Sequence, residues 1–447
     1  MKTDEKGITA KKSENFSEWY TQVITKAELI EYTSVSGCIV YRPYSYEIWE
    51  GIKEYFDKEI KKLGVKNAYF PLFIPESLLT KEKEHVEGFS PEVAWVTHGG
   101  KSKLAEKLAV RPTSETIMYD SYKKWIRSYQ DLPLLINQWV NIVRWEFKHP
   151  MPFIRGREFL WQEGHTVHAT EEGAEKETYV ILDKYADVFE DLLAIPMLKG
   201  TKSEREKFAG ANYTLSVETM FPDGKAIQGA TSHGLGQNFA KAFDIKFVDK
   251  DDKVKYGWQN SWGLSTRSIG IMIAVHGDDK GLVLPPKIAP IQVVVVPIIF
   301  EKTKDAVLTK ANEIAKSLGV RVEFDDRENY SPGWKFNQWE MKGVPLRIEI
   351  GPKDLEKGHA MVVRRDTGEK TPIKFDDLKT KVKEMLDLIQ KDLFSKAKKF
   401  LDSNMVDVTT MDEMKKAISE KKFVSIPWCG EPNVKNRLKT NQVEQKA

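Results

Sequence analysis

The sequence predicts a multidomain protein of mixed α/β (α+β) class, with an antiparallel sheet in its first part. Residues 134–168 predict two strands joined by a polar turn that contains two prolines, as in an antiparallel pair. Residues 281–290 are rich in proline and glycine and separate two parts of the chain that differ in their pattern of apolar residues. From residue 291 to 350 short apolar runs alternate with amphipathic stretches, which indicates a βαβ-type unit.

The other elements of the first part follow from the spacing of the apolar residues. Amphipathic stretches at 17–32 and 44–63 predict helices, the second ending before Gly64. Residues 68–75 are apolar but contain prolines and predict a short strand. Further elements are predicted at 171–193 (helix), 225–229 and 256–264 (strands) and 267–275 (helix).

Beyond the linker, the apolar pattern changes period several times. Strands are predicted at 291–296, 320–324 and 346–350, and helices at 303–318, 334–342 and, in a lysine-rich segment, 375–400. The clearest boundary is the linker at 281–290, which is followed by a βαβ-type unit of about a hundred residues.

Composition excludes several classes of protein. With 41% hydrophobic residues among 447, the chain is not intrinsically disordered, and 69 basic against 66 acidic residues identify no partner. Two cysteines exclude a disulfide framework and a four-cysteine zinc site. The N-terminus lacks the apolar core of a signal peptide, and the most apolar stretch, 291–300, is too short to span a bilayer. We expect a soluble protein of a reducing, intracellular compartment with no membrane association.

Two local patterns suggest functional sites but do not meet their requirements. Residues 99–102 (Gly-Gly-Lys-Ser) are similar to the end of a phosphate-binding P-loop, but Trp95 stands where that motif needs a glycine. His165 and His168 are too few for a metal site, and on a strand they point to opposite faces. We therefore look for a site built from several separated segments.

The paired strands at 134–168 concentrate polar and aromatic side chains on common faces. Arg144 shares a face with Glu146, and the next strand places four residues on one face. These four are Phe159, Trp161, Glu163 and His165. Such a face suits the floor of a polar ligand pocket, although a cross-strand ladder of ion pairs and aromatic contacts is an equal alternative.

Two later segments add further polar groups. The small-residue stretch 226–236 contains Gln228, Thr231 and His233, and Arg267 begins an apolar helical run. Taken separately, the first is commonly an ordinary glycine-rich turn and the second a solvated arginine. These two segments indicate a functional site only when they are considered together with the paired strands.

Together these segments resemble the conserved motifs of class II aminoacyl-tRNA synthetases. Arg144 and Arg267 stand where motifs 2 and 3 carry their arginines, and residues 63–73 resemble motif 1, which forms the dimer interface of that class. Residues 111–115, 161–165 and 228–233 resemble the prolyl-tRNA synthetases of the archaeal/eukaryotic-like type. The resemblance extends from about residue 16 to 430.

The resemblance implies an activity and an architecture. It implies ATP-dependent attachment of L-proline to tRNA(Pro) through prolyl-adenylate, with release of AMP and pyrophosphate, by a cytoplasmic homodimer. It implies a class II antiparallel-sheet catalytic domain at 1–284, an α/β anticodon-binding domain at 285–390, and a small, shortened C-terminal α/β domain at 391–447. Because the stretch between His165 and Gln228 is short, no editing insertion is expected.

The resemblance also assigns residues to each ligand. Arg144 and Arg267 are expected to be catalytic, through electrostatic stabilisation of the reacting phosphates. The proline site is expected to contain Thr113, Glu115, Arg144, Trp161, Glu163, His165, His233 and Phe89. The ATP site is expected to contain Arg144, Glu146, Arg155, Phe159, Gln228, Thr231, Ser265 and Arg267. Anticodon bases are expected to contact Phe336, Glu340 and Arg347.

Metal requirements differ between the two ends of the chain. ATP chemistry implies Mg²⁺, with Gln228 or Glu218 as candidate ligands. Many relatives carry a C-terminal zinc site, but here Cys429 stands alone and Val434 occupies the next expected cysteine position. We therefore predict no zinc in this chain.

Two other functions compete with the enzyme. A catalytically silent paralogue that binds tRNA as a regulatory protein would have the same fold. The presence of both ATP-site arginines and of the proline-site acid favours the enzyme. A threonine- or serine-specific relative is disfavoured by Thr113, Glu115 and Trp161 and by the absence of a metal-binding triad from the sequence motifs.

Overall fold

The computed structural model describes residues 7–85, 92–146 and 149–427, and it contains the predicted mixture of helices and strands. In the first predicted unit the helices are α1 (Phe16–Lys26), α2 (Pro43–Lys62), α3 (Glu76–His85), α4 (Glu115–Trp125), α5 (Glu171–Asp187), α6 (Asn238–Phe243) and α7 (Arg267–His276). Its strands up to the turn are β1 (Ile30–Tyr32), β2 (Ile39–Tyr41), β3 (Lys66–Asn67), β4 (Phe73–Pro75), β5 (Trp95–Gly99), β6 (Ser102–Val110) and β7 (Leu134–Val143). Those after the turn are β8 (Glu158–His168), β9 (Leu198–Thr201), β10 (Tyr213–Met220), β11 (Ala226–Gly236), β12 (Lys246–Val248), β13 (Val254–Tyr256) and β14 (Trp258–Ser265).

A seven-stranded sheet forms the centre of this unit, in the order β3-β7-β8-β14-β11-β10-β9. All neighbours are antiparallel except the short β3, which pairs parallel with β7. The insertion of β14 between β8 and β11 matters most for function. It brings three segments that are far apart in the sequence side by side.

Helices α2, α5 and α7 lie over one face of this sheet and bury the largest core. Phe56 of α2 stacks on Tyr185 of α5 at a ring distance of 4.9 Å, and both are completely buried. Trp262 of β14 fills the space beneath them, opposite Gly164 of β8. A Cβ atom at Gly164 would overlap the Trp262 ring, so this position requires glycine. The helix-covered face fixes the sheet and leaves the other face for a site.

The end of α7 carries a buried histidine whose titration opposes folding at low pH. His276 Nε2 lies 2.8 Å from the carbonyl oxygen of Leu193, and burial lowers the pKa of His276 to about 4. The folded-state pKa therefore lies below the unfolded value of 6.5, so the unfolded chain binds more protons between pH 6.5 and 4. Stability from this residue is complete above pH 6.5 and declines as the pH falls towards 4.

We expect His276→Gln to reduce the acid sensitivity of the fold. Glutamine can keep a donor to Leu193 but does not titrate, so between pH 7 and 5 the variant should lose about 2 kcal/mol less unfolding free energy than the parent. Urea titrations at both pH values measure the difference. The exposed His98→Gln is the control and should behave like the parent. Equal acid sensitivity of His276→Gln and the parent would contradict the assignment.

The remaining elements form the second and third predicted units. Their strands are β15 (Val293–Pro297), β16 (Val322–Phe324), β17 (Leu346–Ile350), β18 (His359–Arg364), β19 (Lys370–Lys374), β20 (Met405–Asp407) and β21 (Phe423–Ser425). Their helices are α8 (Lys304–Ser317), α9 (Pro332–Met341), α10 (Pro352–Lys357), α11 (Leu378–Asn404) and α12 (Met411–Ser419). The sheet order is β16-β15-β17-β18-β19, in which β15 pairs parallel with both neighbours. The α/β prediction for this part is confirmed.

Strand β15 is buried on both faces, which explains its unbroken run of valines. Val293 and Val295 belong to the core that contains Ile314 of α8, whereas Val294 and Val296 pack in the core that contains Trp339 of α9. Helix α11 then runs without interruption across residues 390 and 391, where we placed a domain boundary. The domain boundaries therefore remain predictions.

Several details of the first unit differ from the sequence predictions. The helix predicted at 17–32 is wrong in extent, because α1 ends at Lys26 and residues 30–32 form β1. The predicted strand at 68–75 is wrong in extent, because only residues 73–75 of it form a strand, although Ala68 donates to the Asn137 carbonyl oxygen and Leu72 accepts from Arg111 N–H. The hairpin of β5 and β6 was not predicted. Its turn is the P-loop-like Gly-Gly-Lys-Ser, in which Gly100 has a φ of +62°, a conformation that glycine adopts readily. Among the residues described, no helix is both long and apolar enough to cross a bilayer.

Candidate active site

The opposite face of the central sheet, which α4 and α6 cover in part, carries a cavity of about 270 Å³. Strands β8, β11 and β14 supply its floor, and the loop before α4 closes one end. Sequence-predicted site residues that line it are Thr113, Glu115, Arg144, Phe159, Trp161, Glu163, His165, Gln228, Thr231, His233, Ser265 and Arg267. The antiparallel order explains the convergence, since β14 pairs Ser261 with His165 and Trp161 with Ser265.

A buried arginine holds the loop that precedes α4. Arg111 is 1% exposed, and its guanidinium donates to the carbonyl oxygens of Phe70 at 2.8 Å and Asn141 at 2.9 Å. This links the loop to β7 and to the motif 1-like segment. Thr113 and Glu115, which follow Arg111, therefore reach the cavity from a fixed backbone. In the cavity, Thr113 Oγ1 donates to the Glu115 carboxylate.

Glu163 and His165 form a buried, ordered pair on β8. Their side chains meet at 3.1 Å, Gln138 and Ser114 donate to Glu163, and the Tyr119 hydroxyl contacts His165 Nδ1 at 3.1 Å. Burial disfavours the charged form of both groups, but the contact between them favours the charged forms and has the larger effect. It lowers the pKa of Glu163 and raises the pKa of His165. The pair therefore favours a carboxylate beside an imidazolium.

The Arg144 guanidinium lies between the aromatic floor and the loop. Its Nε donates to the Pro112 carbonyl oxygen at 3.0 Å, and its Cζ lies 5.3 Å from the Trp161 ring centre and 5.7 Å from that of Phe159. Burial lowers the pKa of Arg144, although the nearby carboxylates, including Glu115, act in the opposite direction. An arginine remains charged at neutral pH, so a desolvated positive charge faces the cavity.

Arg267 brings a second positive charge to the opposite side. Its Nε donates to the Ile154 carbonyl oxygen at 3.0 Å, and its backbone NH lies 3.2 Å from Ser265 Oγ. Burial, together with the charges of Arg144 and Arg155, lowers the pKa of Arg267 to about 10. Arginines whose charges act on one another at one cavity suit a polyanionic ligand such as a triphosphate.

His233 is held in its neutral form beside the floor. Its Nδ1 lies 2.9 Å from Thr214 Oγ1, and its Nε2 lies 3.0 Å from Thr231 Oγ1. Burial and the positive His165 lower the pKa of His233 to about 3, so above that pH it carries no charge. It therefore shapes a polar wall through hydrogen bonds rather than through charge.

Some predicted ligand-site residues do not line the cavity. Glu146 and Arg155 are exposed, although the effect of Arg155 on the pKa of Arg267 places its charge nearby. Glu218 faces Gln228 across β10 and β11, but its carboxylate accepts from Lys202 and Ser216. Phe89 lies outside the residues that the structure describes, as do Cys429 and Val434, so the zinc prediction stays a prediction.

The predicted anticodon residues lie on and beside α9. Arg347 of β17 stacks against the Phe336 ring at 4.2 Å and forms an ion pair with Glu349 at 2.8 Å. Glu340, one turn further along the helix, pairs with Lys280, which directly precedes the linker, at 2.9 Å. The three predicted residues are therefore close in the fold but are engaged with partners of this chain.

Several cavity residues were missed by sequence reasoning. They are Glu206, Phe208, Thr214, Ser261, Trp262 and Gly263, whereas Gly229 and Ala230 belong to the small-residue stretch that the sequence indicated. Phe208 comes from the irregular segment between β9 and β10, which has no periodicity, and its ring lies 4.7 Å from that of His233. Ser261 could have been predicted from the sequence. It precedes the motif 3-like arginine and lies on the same strand face as Ser265.

The geometry favours a small zwitterion next to a nucleotide. Glu115 can accept a cationic amine, Arg144 can bind a carboxylate, and the Trp161 ring offers an apolar wall between them. Glu115, Glu163 and His165 also place ligand atoms within 4.8 Å of one another, a spacing that could hold a metal ion. However, Glu163 and His165 already satisfy each other, which favours the organic cation over a metal.

Comparison with known families agrees with this geometry. Residues 95–276 match the model of the tRNA synthetase class II core domain (G, H, P, S and T), and residues 292–385 match the anticodon binding domain. The first match contains most of the cavity residues, and the second contains α8, α9 and the sheet around β15. The predicted class II fold is thereby confirmed.

Similar proteins narrow the family further. The chain is 54% identical to the cytoplasmic proline--tRNA ligase of Arabidopsis thaliana, over 97% of this chain and 82% of the relative. It is 55% identical to the proline--tRNA ligase of Alkaliphilus oremlandii, over 95% and 88% respectively. It is 53% identical to the bifunctional glutamate/proline--tRNA ligase of Cricetulus griseus, but spans only 29% of the length of that protein.

A solved structure gives the same result. The prolyl-tRNA synthetase of Cryptosporidium parvum, crystallised with halofuginone and AMPPNP, superposes with a TM-score of 0.94 at 53% identity. The match covers 97% of this chain and 90% of that structure. The resemblance proposed from the sequence motifs is confirmed, and the chain belongs to the prolyl-tRNA synthetase family of class II aminoacyl-tRNA synthetases.

Proposed function

We propose that this chain attaches L-proline to tRNA(Pro) in two steps, through prolyl-adenylate. The observation that carries the proposal is that Glu115, Arg144 and Arg267 line one cavity. In the first step a proline carboxylate oxygen bonds to the α-phosphorus of ATP and pyrophosphate leaves. In the second, a terminal ribose hydroxyl of the tRNA attacks the prolyl carbonyl and AMP leaves. Relatives named proline--tRNA ligases support this reaction.

The proline end of the cavity supplies selectivity. Glu115, oriented by Thr113, would bind the ring nitrogen, which carries a positive charge and two N–H donors. Trp161 would cover the apolar ring, and the Glu163–His165 pair would fix the floor beneath it. Such a site rejects amino acids that cannot fill the space beside Trp161, although one methylene contributes only about 1–3 kcal/mol of discrimination.

The nucleotide end supplies positioning and charge. Arg144 would hold the proline carboxylate against the α-phosphate, and Arg267 would bind the outer phosphates. Phe159 offers a ring for adenine, while Gln228, Thr231 and Ser265 offer hydrogen bonds. Glu146 and Arg155, which are exposed beside the cavity, would join the site when ATP is bound.

Magnesium would neutralise phosphate charge at this end of the site. Its candidate protein ligands, Glu218 and Gln228, occupy facing positions on β10 and β11. The Glu218 carboxylate is engaged by Lys202, so Mg²⁺ would take most of its ligands from phosphates and water.

The quaternary state and compartment are further parts of the proposal. Apolar side chains near the motif 1-like segment are exposed, including Tyr69 at 72%, Phe73 at 46% and Trp95 at 41%. Phe73 and Trp95 belong to the same three-stranded sheet of β4, β6 and β5. An exposed apolar surface of this kind supports a homodimer that buries it. The cytoplasmic relative from Arabidopsis thaliana supports a cytoplasmic location.

Charging of tRNA tests the proposal directly. Purified protein with ATP, Mg²⁺ and labelled proline should convert a tRNA(Pro) transcript to prolyl-tRNA. A tRNA(Ser) transcript is the matched control and should remain uncharged. Folded protein that charges neither transcript with proline would refute the proposed activity.

We expect Arg347→Ala to separate the two steps. The side chain lies in the second unit beside Phe336, so its loss should leave proline activation within about twofold of the parent. The KM for tRNA should rise about tenfold or more, because a base contact of this type contributes roughly 1–3 kcal/mol. Steady-state charging and pyrophosphate exchange measure the two effects. Equal loss in both assays would contradict the anticodon assignment.

A further inference from the structure

An aromatic stack lies on the surface of the second unit, at the start of α9. The rings of Tyr330 and Trp334 are parallel to within 13°, with centres 3.8 Å apart. Tyr330 is 37% exposed, and Trp334 is partly exposed. Flat, accessible aromatic faces of this type are the usual surfaces on which proteins stack unpaired bases.

An arginine flanks the stack without covering it. The Arg327 Cζ lies 5.1 Å from the Tyr330 ring centre and 5.4 Å from that of Trp334. Because the rings are only 3.8 Å apart, a group on an outer face would be much closer to one ring than to the other. The guanidinium therefore lies at the rim of the stack, where its charge can attract a phosphate while the outer ring faces stay free of it.

A buried carboxylate holds this arrangement in place. Asp325 is 2% exposed and accepts from Arg327 at 2.7 and 2.8 Å and from the Trp339 indole at 2.8 Å. Arg327 also donates to Gln338 Oε1 at 2.6 Å. These bonds fix the guanidinium before any ligand arrives, which lowers the entropy that binding must overcome.

A cavity of about 500 Å³ opens next to Trp334. Its wall includes the amides of Asn337 and Gln338, together with Glu340 and Lys280. The wall also contains Glu28 and Asp279, and Lys280 pairs with Glu340, so the amides are the groups best placed to pair with a base edge. The stack therefore stands beside a space with the size and polarity for a nucleoside.

We propose that the Tyr330–Trp334 stack is a platform for an unpaired base of bound tRNA, whose edge enters the adjoining cavity. This site is separate from the Phe336–Arg347 contact, because residues two positions apart on a helix lie about 200° apart around its axis. The inference rests on the proposed function for its ligand. An unmodified peptide fits less well, since it carries no phosphate to meet Arg327.

Base stacking can be measured with fluorescent tRNA. Transcripts of full-length tRNA(Pro) carrying 2-aminopurine at one anticodon-loop position at a time report stacking as quenching when protein binds. With the parent protein we expect strong quenching at one position or two adjacent positions. Trp334→Leu should abolish that quenching and raise the Kd about tenfold, whereas Trp334→Phe should retain it.

Controls separate stacking from loss of structure. Tyr330→Leu removes the exposed partner and should weaken the same quenching, and Tyr179→Leu, an aromatic side chain 50% exposed on α5, should change nothing. Proline-dependent pyrophosphate exchange by Trp334→Leu should equal that of the parent. If neither the quenching nor the Kd changes in Trp334→Leu or Tyr330→Leu, no base stacks on these rings and the proposed platform is wrong. The same result would be expected if the stack binds a protein instead.

The outcome for the platform is distinct from the outcome for the proposed function. Binding and quenching need no catalysis. If quenching depends on Trp334 but the parent protein shows no pyrophosphate exchange, the proposed enzymatic function is refuted and the base platform is supported. If the parent protein shows full exchange activity but quenching depends on Trp334 at no position of the tRNA, the platform is refuted and the enzymatic function is supported.

Discussion

Replacing Arg144 by alanine is expected to lower proline-dependent adenylate formation by roughly a thousandfold. The guanidinium is fixed by Pro112 and lies over the Trp161 ring, so it meets the reacting carboxylate and phosphate without rearrangement. Alanine leaves both anions to repel each other in a partly desolvated cavity. Pyrophosphate exchange at saturating proline and ATP measures the loss.

Two further variants define what the loss means. Arg144→Lys keeps the charge but not the planar pair of donors, and we expect it to recover only a small part of the activity. Arg127→Ala removes an exposed arginine two residues after the end of α4 and should have no effect. Activity of Arg144→Ala within tenfold of the parent, from folded protein, would show that this side chain does not touch the reacting groups.

Replacing Glu115 by glutamine is expected to raise the KM for proline about a hundredfold, with a smaller change in kcat. The carboxylate is 3% exposed at the start of α4, and Thr113 orients it towards the cavity wall. Glutamine preserves shape and hydrogen bonding but removes the negative charge that would pair with the ring nitrogen. Loss of a buried charge partner commonly costs 2–5 kcal/mol.

A second cavity carboxylate provides the matched control. Glu206 also lines the cavity but comes from the segment between β9 and β10. Glu206→Gln should change the KM for proline by less than Glu115→Gln does. The opposite order, or an unchanged KM in Glu115→Gln, would place the ring nitrogen elsewhere in the cavity.

Periodicity predicted the parts of the fold that repeat regularly. The alternation that places Phe159, Trp161, Glu163 and His165 on one strand face is also found in the structure, because β8 is long and regular. Helix α2 ends close to where Gly64 indicated, and the doubly buried β15 is as apolar as its environment requires. These elements depend on local sequence alone.

Features that depend on distant partners were not predictable. The role of Arg111 as an anchor depends on carbonyl oxygens of two other segments, Phe70 and Asn141, which only the folded chain brings together. Phe208 reaches the cavity from an irregular segment for the same reason. The engagement of Glu218 on β10 by Lys202, which follows the paired strand β9, likewise depends on a strand pairing that gave no sequence signal.

Recognition of the site needed more than periodicity. Each segment by itself had an ordinary structural explanation, and only their order along the chain indicated class II motifs. The structure supplies the missing link, because β14 lies between β8 and β11 and joins all three segments into one floor. The assignment of individual side chains to proline or ATP remains a prediction for the variants above.

Proline-dependent exchange of labelled pyrophosphate into ATP is the most direct test of this account. It reports the first step alone, needs no tRNA, and depends on one cavity that binds an imino acid beside a nucleotide. We expect exchange with proline, and none with threonine or serine. Folded protein that shows no exchange with proline, or equal exchange with threonine, would contradict the function drawn from this cavity.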